Sequence, residues 1–162
     1  MAQIKTNAMR ILDAKKISYG MKTYEAADGK IDGVSVAQKV NRDPKEVYKT
    51  LVTQGTSKGI YVFVIPVEEE LDLKKAAKAA KEKKVDMIAV KDIQKLTGYI
   101  RGGCSPVGMK KQYPTFIEKC AEGLEQMVVS GGKIGVQIEI NPQDLMGVTN
   151  GAFADVVKGH ED

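Results

Sequence analysis

The segment Tyr99–Lys111, YIRGGCSPVGMKK, is the stretch whose residue types and spacing most favour chemistry. Gly102 and Gly103 follow a short apolar run, and Pro106 closes the segment. Because glycine lacks a Cβ atom, its backbone N–H can approach a ligand closely, and a concavity lined by such donors can hold an anion or a polarised carbonyl. A tight turn between two strands is the simpler interpretation of the same pattern. Spacing alone leaves both interpretations open.

A lysine among apolar neighbours is the second candidate for chemistry. The segment Glu46–Gln54, EVYKTLVTQ, is rich in β-branched and aromatic residues and predicts a strand. Alternation places Val47, Lys49 and Leu51 on one face of that strand. A lysine in this setting either extends outward to water, which is the commoner outcome, or is held in a pocket for a function.

Histidine and cysteine content exclude several catalytic classes. The only histidine is His160, close to the end of the chain, so a Ser-His-Asp triad, a Cys-His pair and a two-histidine metal site are not expected. Cys104 and Cys120 form no CxxC motif and are expected to be free thiols. We therefore expect no metal and no cofactor, and catalysis that uses lysine, carboxylate, hydroxyl, backbone dipoles or the substrate itself.

Length and composition predict one domain spanning residues 1–162, with a disordered tail at about 158–162. The chain has 162 residues, of which 43% are hydrophobic. Its net charge of +4 permits an anionic partner without demanding one. No apolar run approaches the roughly eighteen residues of a membrane span, and the N-terminal pattern is not that of a signal peptide. These observations predict a cytoplasmic protein that has no membrane partner.

Hydrophobic periodicity predicts helices and strands that are intermixed along the chain, which is an α+β fold. A glycine-centred turn is predicted at 130–133, between the last two strands. The segment 115–120 is left open between helix and strand. The predicted helices are Thr6–Ile17, Val34–Val40, Asp72–Lys84, Lys91–Leu96 and one capped by Asn141 with Pro142 at its first position; the predicted strands are Ser18–Tyr24, Glu46–Gln54, Ile60–Pro66, Val85–Val90, Thr97–Arg101, Glu125–Val129 and Ile134–Ile140.

Five motifs in one order resemble a known family. VYKTL, LDLKKAAKA, TGYIRGGCSPVGMKK, VSGGKIG and PQDL together resemble the YbaK/EbsC family of bacterial Cys-tRNA(Pro) and Cys-tRNA(Cys) deacylases, which are relatives of the prolyl-tRNA synthetase editing domain. The resemblance extends over roughly residues 6–157. It implies a single α+β domain in which a curved, barrel-like mixed sheet is surrounded by helices. It also implies an enzyme that acts in trans on mischarged aminoacyl-tRNA.

The resemblance implies a set of site residues and partners. The substrate is expected to be Cys-tRNA(Pro), with prolyl-tRNA synthetase as a possible protein partner and no DNA. The implied catalytic residues are Lys49, Gly102, Gly103, Ser105 and Pro106; the implied substrate-binding residues are Tyr24, Ser130, Gly131, Gly132 and Asp144; and the lysines expected to contact tRNA are Lys74, Lys78, Lys81, Lys110 and Lys111. A solvated helix face is the alternative interpretation of the first three lysines.

Without an internal base, the substrate itself can supply the nucleophile. An intramolecular thiol at high effective molarity can attack the ester carbonyl of a cysteinyl-tRNA and form a thiolactone. The protein then positions the ester and stabilises the oxyanion with loop N–H groups and Lys49, although Lys49 is equally able to hold the terminal phosphate. The family branch that acts on Ala-tRNA(Pro) carries a pocket histidine, and its absence here favours the cysteine branch.

Three alternatives remain open from the sequence. Cys104 stands where the family more often has a branched aliphatic residue, and it is interpreted as a small hydrophobe rather than a nucleophile. The chain as a whole could be a non-catalytic tRNA-binding or synthetase-associated module that grips phosphates through its lysines. A small-nucleotide hydrolase is disfavoured, because the sequence lacks a Walker loop and clustered metal carboxylates.

Overall fold

The computed structural model describes residues 5–158. Helices and strands alternate along this part of the chain, which confirms the α+β class. The helices within it are α1 (Asn7–Ala14), α2 (Gly33–Lys39), α3 (Leu73–Ala80), α4 (Val90–Thr97) and α5 (Pro142–Thr149), and a 3₁₀ turn covers Lys119–Gly123; the strands are β1 (Gly20–Thr23), β2 (Tyr48–Gly55), β3 (Ile60–Pro66), β4 (Val85–Met87), β5 (Thr115–Glu118), β6 (Met127–Lys133), β7 (Val136–Ile140) and β8 (Ala152–Ala154).

The described strands form two sheets that do not close into a barrel. A five-stranded mixed sheet has the order β4-β2-β3-β5-β8, and a three-stranded antiparallel sheet has the order β1-β7-β6. An isolated parallel bridge between Val47 and Val128 joins them. The barrel-like single sheet implied by the resemblance is therefore wrong. Strand β3 pairs along the length of β2, β4 pairs with β2 only at residues 53–55, and β6 bridges the chain only at Val47, just before β2.

The core lies between the sheets and the helices that cover them. Met9 and Leu12 of α1 belong to the main cluster of buried side chains, together with Ile138 and Ile140 of β7. A second cluster places the alanines of α3 against Phe63 of β3. Small side chains on α3 let its backbone approach the sheet closely. Burial of these apolar surfaces fixes how the two sheets are oriented around the bridge.

One predicted strand and one predicted turn need correction. The segment Thr97–Arg101 is not a strand, because α4 runs to Thr97 and ends at Gly98 with a φ of +85°. Strand β6 continues through the predicted turn at 130–133, and the chain reverses at 134–135 instead, where Gly135 has a φ of +93°. The open segment at 115–120 is a strand followed by the 3₁₀ turn.

Helix ends follow the capping signals in the sequence. The side chain of Asn141 accepts hydrogen bonds from the backbone of Gln143 and Asp144, and Pro142 begins α5 as predicted. Helix α3 is shorter than predicted, because Lys81 takes a left-handed conformation with a φ of +60°. No helix within residues 5–158 is both long and apolar enough to cross a membrane.

The predicted disordered tail lies largely outside the described residues. Residues 159–162, which include His160, are not among them. Lys158, at the start of the predicted tail, forms an ion pair of 2.9 Å with Glu70 and donates its backbone N–H to the carbonyl of Glu70. The chain is therefore anchored up to this residue.

Candidate active site

A cavity of about 120 Å³ opens where the two sheets meet. Strand β2 contributes Lys49 and Thr50 from the larger sheet, and β6 and β7 contribute Ser130 and Gln137 from the smaller one. The loop before α2 and the glycine loop complete the wall. The residues that line the cavity are Tyr24, Ile31, Gly33, Val36, Val47, Tyr48, Lys49, Thr50, Val67, Gly102, Cys104, Ser130 and Gln137.

Lys49 is the one lysine among the lining residues. Its strand position is fixed by pairing with Ile65 of β3, and its side chain is half-buried. Within the described residues its Nζ makes one hydrogen bond, a long one of 3.4 Å to the carbonyl of Val67. Burial lowers the pKa of Lys49, and the carboxylates of Glu70 and Glu69 oppose that shift. The ammonium is thus left with donors free for a ligand.

Other polar groups of the wall also lack partners. The hydroxyls of Tyr24 and Thr50 are buried and make no hydrogen bond within residues 5–158. Gln137 of β7 is only 5% exposed and lines the same cavity. A buried polar group without a partner costs about 1–3 kcal/mol and is uncommon in native structures. Two such hydroxyls at one cavity, those of Tyr24 and Thr50, indicate that a polar ligand completes them.

The two glycines of the loop have separate tasks. The N–H of Gly103 donates to the carbonyl of Ile100 at 3.0 Å, and Gly102 has a φ of +86°, the value that a type II turn requires at its third residue. A Cβ on Gly103 would lie 2.9 Å from the backbone nitrogen of Ile134, so this glycine lets the loop pack on the β6–β7 turn. Gly102 lines the cavity, and its N–H donates no hydrogen bond within the described residues.

The rest of the glycine loop divides between support and lining. Ser105 is fully buried, and its hydroxyl accepts a hydrogen bond of 3.2 Å from the backbone of Val107. Neither Ser105 nor Pro106 lines the cavity, and Gly103 does not line it either. Cys104 does, but burial raises the pKa of its thiol to about 11, so the sulfur is protonated at neutral pH. The geometry fits a small apolar wall residue.

The predicted substrate-binding residues are only partly brought together. Tyr24 and Ser130 line the cavity with Lys49 and Gly102. Gly131, Gly132 and Asp144 do not line it: the first two belong to β6, and Asp144 is exposed in the first turn of α5. None of the predicted tRNA-binding lysines lines it; all of them are exposed, along α3 and its C-terminal end or just after the glycine loop: Lys74, Lys78, Lys81, Lys110 and Lys111.

Comparisons with known proteins show the family of the chain. Residues 32–148 match the aminoacyl-tRNA editing domain. The chain belongs to this family. It is 46% identical over 154 residues to a protein of Enterococcus faecalis named Cys-tRNA(Pro)/Cys-tRNA(Cys) deacylase EbsC, an alignment that covers 95% of this chain and 94% of that protein.

Two solved structures share the fold of this editing domain. One, described as a trans-editing enzyme for prolyl tRNA synthetase, is 23% identical with a TM-score of 0.82, and the match covers 97% of this chain and 100% of that one. The other, the hypothetical protein APE2540, is 20% identical with a TM-score of 0.86, covering 94% of this chain and 100% of that one. At these identities the likeness shows the fold alone.

The cavity wall includes residues that sequence reasoning did not propose. Thr50 follows Lys49 directly, and the rule of alternating strand faces assigned the two to opposite sides. Gln137 lies on the less apolar face of β7. The alternation of the strand showed a polar residue there, but nothing marked it as a site residue. The other lining residues that were not proposed are Ile31, Gly33, Val36, Val47, Tyr48, Val67 and Cys104.

Within residues 5–158 no group of three histidine, cysteine, aspartate or glutamate side chains is arranged to hold a metal ion. The charged group at the cavity wall is an ammonium. The chemistry that the described wall can offer is therefore hydrogen bonding and positive charge.

Proposed function

We propose that this protein is a trans-acting deacylase that removes cysteine from Cys-tRNA(Pro) and Cys-tRNA(Cys). The observation that carries the proposal is the cavity at the junction of the sheets, where the Lys49 ammonium and the unpaired hydroxyls of Tyr24 and Thr50 surround one small space. Membership of the aminoacyl-tRNA editing domain family supports an aminoacyl ester as the occupant. The name of the Enterococcus relative supports cysteine as the amino acid.

The wall residues suit an ester whose carbonyl gains negative charge. The N–H of Gly102 and the ammonium of Lys49 are free donors at the same cavity. Donors fixed in advance around a developing oxyanion lower the barrier, because they need no reorganisation during the reaction. Loss of one such donor typically reduces the rate by about 100- to 1,000-fold. Lys49 and Gly102 are therefore the residues to which we assign oxyanion stabilisation.

The nucleophile in this proposal is the thiol of the substrate. Its sulfur attacks the ester carbonyl, a C–S bond forms, the bond from the carbonyl carbon to the tRNA 3′-oxygen breaks, and the thiol proton ends on that oxygen. The products are tRNA and a cysteine thiolactone, which water then opens to free cysteine. The reaction is accelerated because the thiol, as part of the same molecule as the ester, has a high effective molarity. The raised pKa of Cys104 supports this assignment over a protein thiol.

Recognition of the tRNA body is assigned to the exposed lysines. Lys74 and Lys78 on α3 and Lys110 after the glycine loop present charge outside the cavity, where phosphates of a bound tRNA would lie. Selection among tRNAs is proposed to involve prolyl-tRNA synthetase as a partner, and the site of action to be the cytoplasm. Binding through these lysines should weaken steeply with salt.

A deacylation panel tests the proposal directly. Purified protein is incubated with Cys-tRNA(Pro), Ser-tRNA(Pro) and Ala-tRNA(Pro), and the remaining ester is measured over time. We expect rapid loss of the cysteinyl ester alone, because neither a hydroxyl nor a methyl side chain supplies a comparable nucleophile. Equal or faster loss of the alanyl ester would exclude the thiol-assisted step. Equal binding of charged and uncharged tRNA with no ester loss would instead identify a non-catalytic tRNA-binding module.

A further inference from the structure

Lys39, the last residue of α2, makes a dense set of contacts that the catalytic proposal does not use. Its Nζ lies 2.6 Å from the carbonyl oxygen of Glu25, 2.8 Å from Oδ1 of Asp28 and 2.9 Å from the carbonyl oxygen of Lys30. An ammonium has three N–H donors, so these acceptors saturate it. The three acceptors come from one loop, and the helix that carries Lys39 follows directly after that loop.

That loop, residues 25–31, joins β1 to α2 and forms one side of the cavity. Ile31, at its end, and Tyr24, just before it, both line the cavity. Nζ of Lys39 also lies 5.8 Å from the centre of the Tyr24 ring, within the range of a cation–π contact. A Cβ on Gly102 would lie 3.2 Å from Ile31, so this loop and the glycine loop are in close contact.

Other hydrogen bonds leave the loop weakly tied to the rest of the protein. Gly29 donates to the carbonyl of Ala26, and the backbone of Lys30 donates to the carboxylate of Asp28. These bonds, and that from Ile31 to Gly29, stay inside the loop. Among the described residues, Lys39 supplies the hydrogen bonds that connect residues 25–31 to another element. Tyr24 itself is held by its backbone N–H, 2.9 Å from the carbonyl of Gly135.

We propose that Lys39 is a positioning residue for the deacylation reaction, holding residues 25–31 in the conformation in which Tyr24 and Ile31 wall the cavity. The kinetic part of this inference, the effect on affinity for the substrate, rests on the proposed function. Lys39 does not line the cavity, so it acts through the loop. Its removal lowers the fraction of molecules in which the cavity is complete. The apparent affinity for substrate then falls by the same fraction, while the rate from the complete complex is kept.

The test compares Lys39→Met with Lys30→Met. Both changes remove one positive charge from the same region, but the exposed Lys30 side chain holds no part of the loop, and its backbone carbonyl is retained. For Lys39→Met we expect KM for Cys-tRNA(Pro) to rise about tenfold with kcat within about twofold of the original, as a population shift predicts. Lys30→Met should leave both constants close to the original values. A loss of folded enzyme would instead lower kcat and leave KM unchanged.

Amide hydrogen exchange reads the loop without any substrate. In Lys39→Met the amides of residues 25–31 should exchange at least about tenfold faster, while those of β2 and β3 stay protected. In Lys39→Arg the exchange rate of the loop should lie between those of the original protein and Lys39→Met, because a planar guanidinium cannot direct three N–H groups at acceptors that converge on one point. If Lys39→Met does not fold, Asp28→Asn, which keeps two of the three acceptors, replaces it with a smaller expected effect.

The outcomes separate the two proposals. Unchanged exchange in the loop, or faster exchange with an unchanged KM, would overturn the positioning role of Lys39. An original protein that deacylates no ester of the panel would overturn the proposed function, and the loop anchoring would then be decided by the exchange measurement alone. Faster exchange together with the rise in KM supports both.

Discussion

Two lysines, one that lines the cavity and one that binds a loop beside it, differ in how completely they are paired. Lys39 gives each of its N–H donors a protein acceptor within 2.9 Å. Lys49 has a single bond of 3.4 Å within the described residues, and burial lowers its pKa. The first lysine is satisfied by the fold and stabilises a loop. The second is held by the fold in a state that only a ligand can complete, and this difference distinguishes a positioning residue from one that meets substrate.

The largest expected effect comes from removing the incompletely paired lysine. Lys49→Met should reduce deacylation of Cys-tRNA(Pro) by about 100-fold or more, since one oxyanion donor is lost. The same change should raise the melting temperature, because it removes the desolvation of a half-buried charge. Both are measured on the purified variant, by ester loss and by calorimetry.

Lys45→Met provides the control for this change, because Lys45 is exposed and does not line the cavity. It should alter neither the rate nor the melting temperature appreciably. A Lys49→Met protein with full activity, or one that unfolds at a clearly lower temperature, would remove the contrast between the two lysines.

A pair of threonines in β2 tests the same contrast without charge. The Thr50 hydroxyl is buried at the cavity without a partner, whereas the Thr53 hydroxyl donates to the carbonyl of Tyr61 at 3.0 Å. Thr50→Val should leave the free energy of unfolding unchanged or higher and slow deacylation about fivefold, whereas Thr53→Val should cost about 1 kcal/mol of stability and leave the rate unchanged. Urea unfolding and ester loss measure the two quantities. The reverse assignment of effects would contradict the interpretation of unpaired groups as ligand contacts.

The pH dependence should report the state of Lys49. The charged ammonium stabilises the oxyanion, so activity should decline on the alkaline side as pH rises through the lowered pKa, below the range of an ordinary lysine. Stability has the opposite sign: burial makes the folded protein release this proton more easily than the unfolded chain, so the cost of the charge disappears as pH rises. The stability gained in Lys49→Met should therefore shrink between neutral and alkaline pH. A gain that is constant across this range would argue against buried charge as its origin.

The smallest expected effect concerns one of the three partners of Lys39. Asp28 is exposed, and the hydrogen bond from Lys39 holds the pKa of its carboxyl below its usual value. Asp28→Asn leaves both carbonyl acceptors, so KM should rise only about twofold. The contribution of the carboxylate is present above its unfolded pKa and is lost as pH falls through the lowered folded value. A KM effect as large as that of Lys39→Met would mean that the ion pair alone fixes the loop.

Local signals in the sequence were sufficient for much of the fold. The continuous apolar run Ile60–Pro66 is a strand with the predicted bounds, and Asn141 and Pro142 begin α5 as predicted, since composition and capping act within a few residues. The predicted strand at Thr97–Arg101 was wrong, because Thr97 is the last residue of α4. Its hydroxyl donates to the carbonyl of Ile93, one turn earlier in that helix. The barrel-like arrangement of one curved sheet was not found, because the way strands divide between sheets depends on long-range pairing that no local pattern encodes.

The site residues also fall into those that the sequence predicted and those that it did not. Lys49 and Gly102 were found because each stands out from its own segment, and Tyr24 and Ser130 came with the family resemblance; all four line the cavity. Gln137 was missed, since its role depends on strands that are distant in sequence and come together only at the junction of the sheets. Distinguishing Gly102 from Gly103 likewise required knowing that the β6–β7 turn lies against the second glycine.

The isolated bridge that joins the two sheets at Val47 and Val128 has a thermodynamic consequence. Groups on both sheets line the cavity, so an occupant that contacts Lys49 on one and Gln137 on the other works as a reversible crosslink between two hydrogen-bonded units. A bound, non-cleavable aminoacyl-adenosine would add its binding free energy to the unfolding reaction, about 2.7 kcal/mol at a hundredfold excess over Kd. Bound substrate would then stabilise the junction at which it is cleaved, and release of the products would remove that stabilisation.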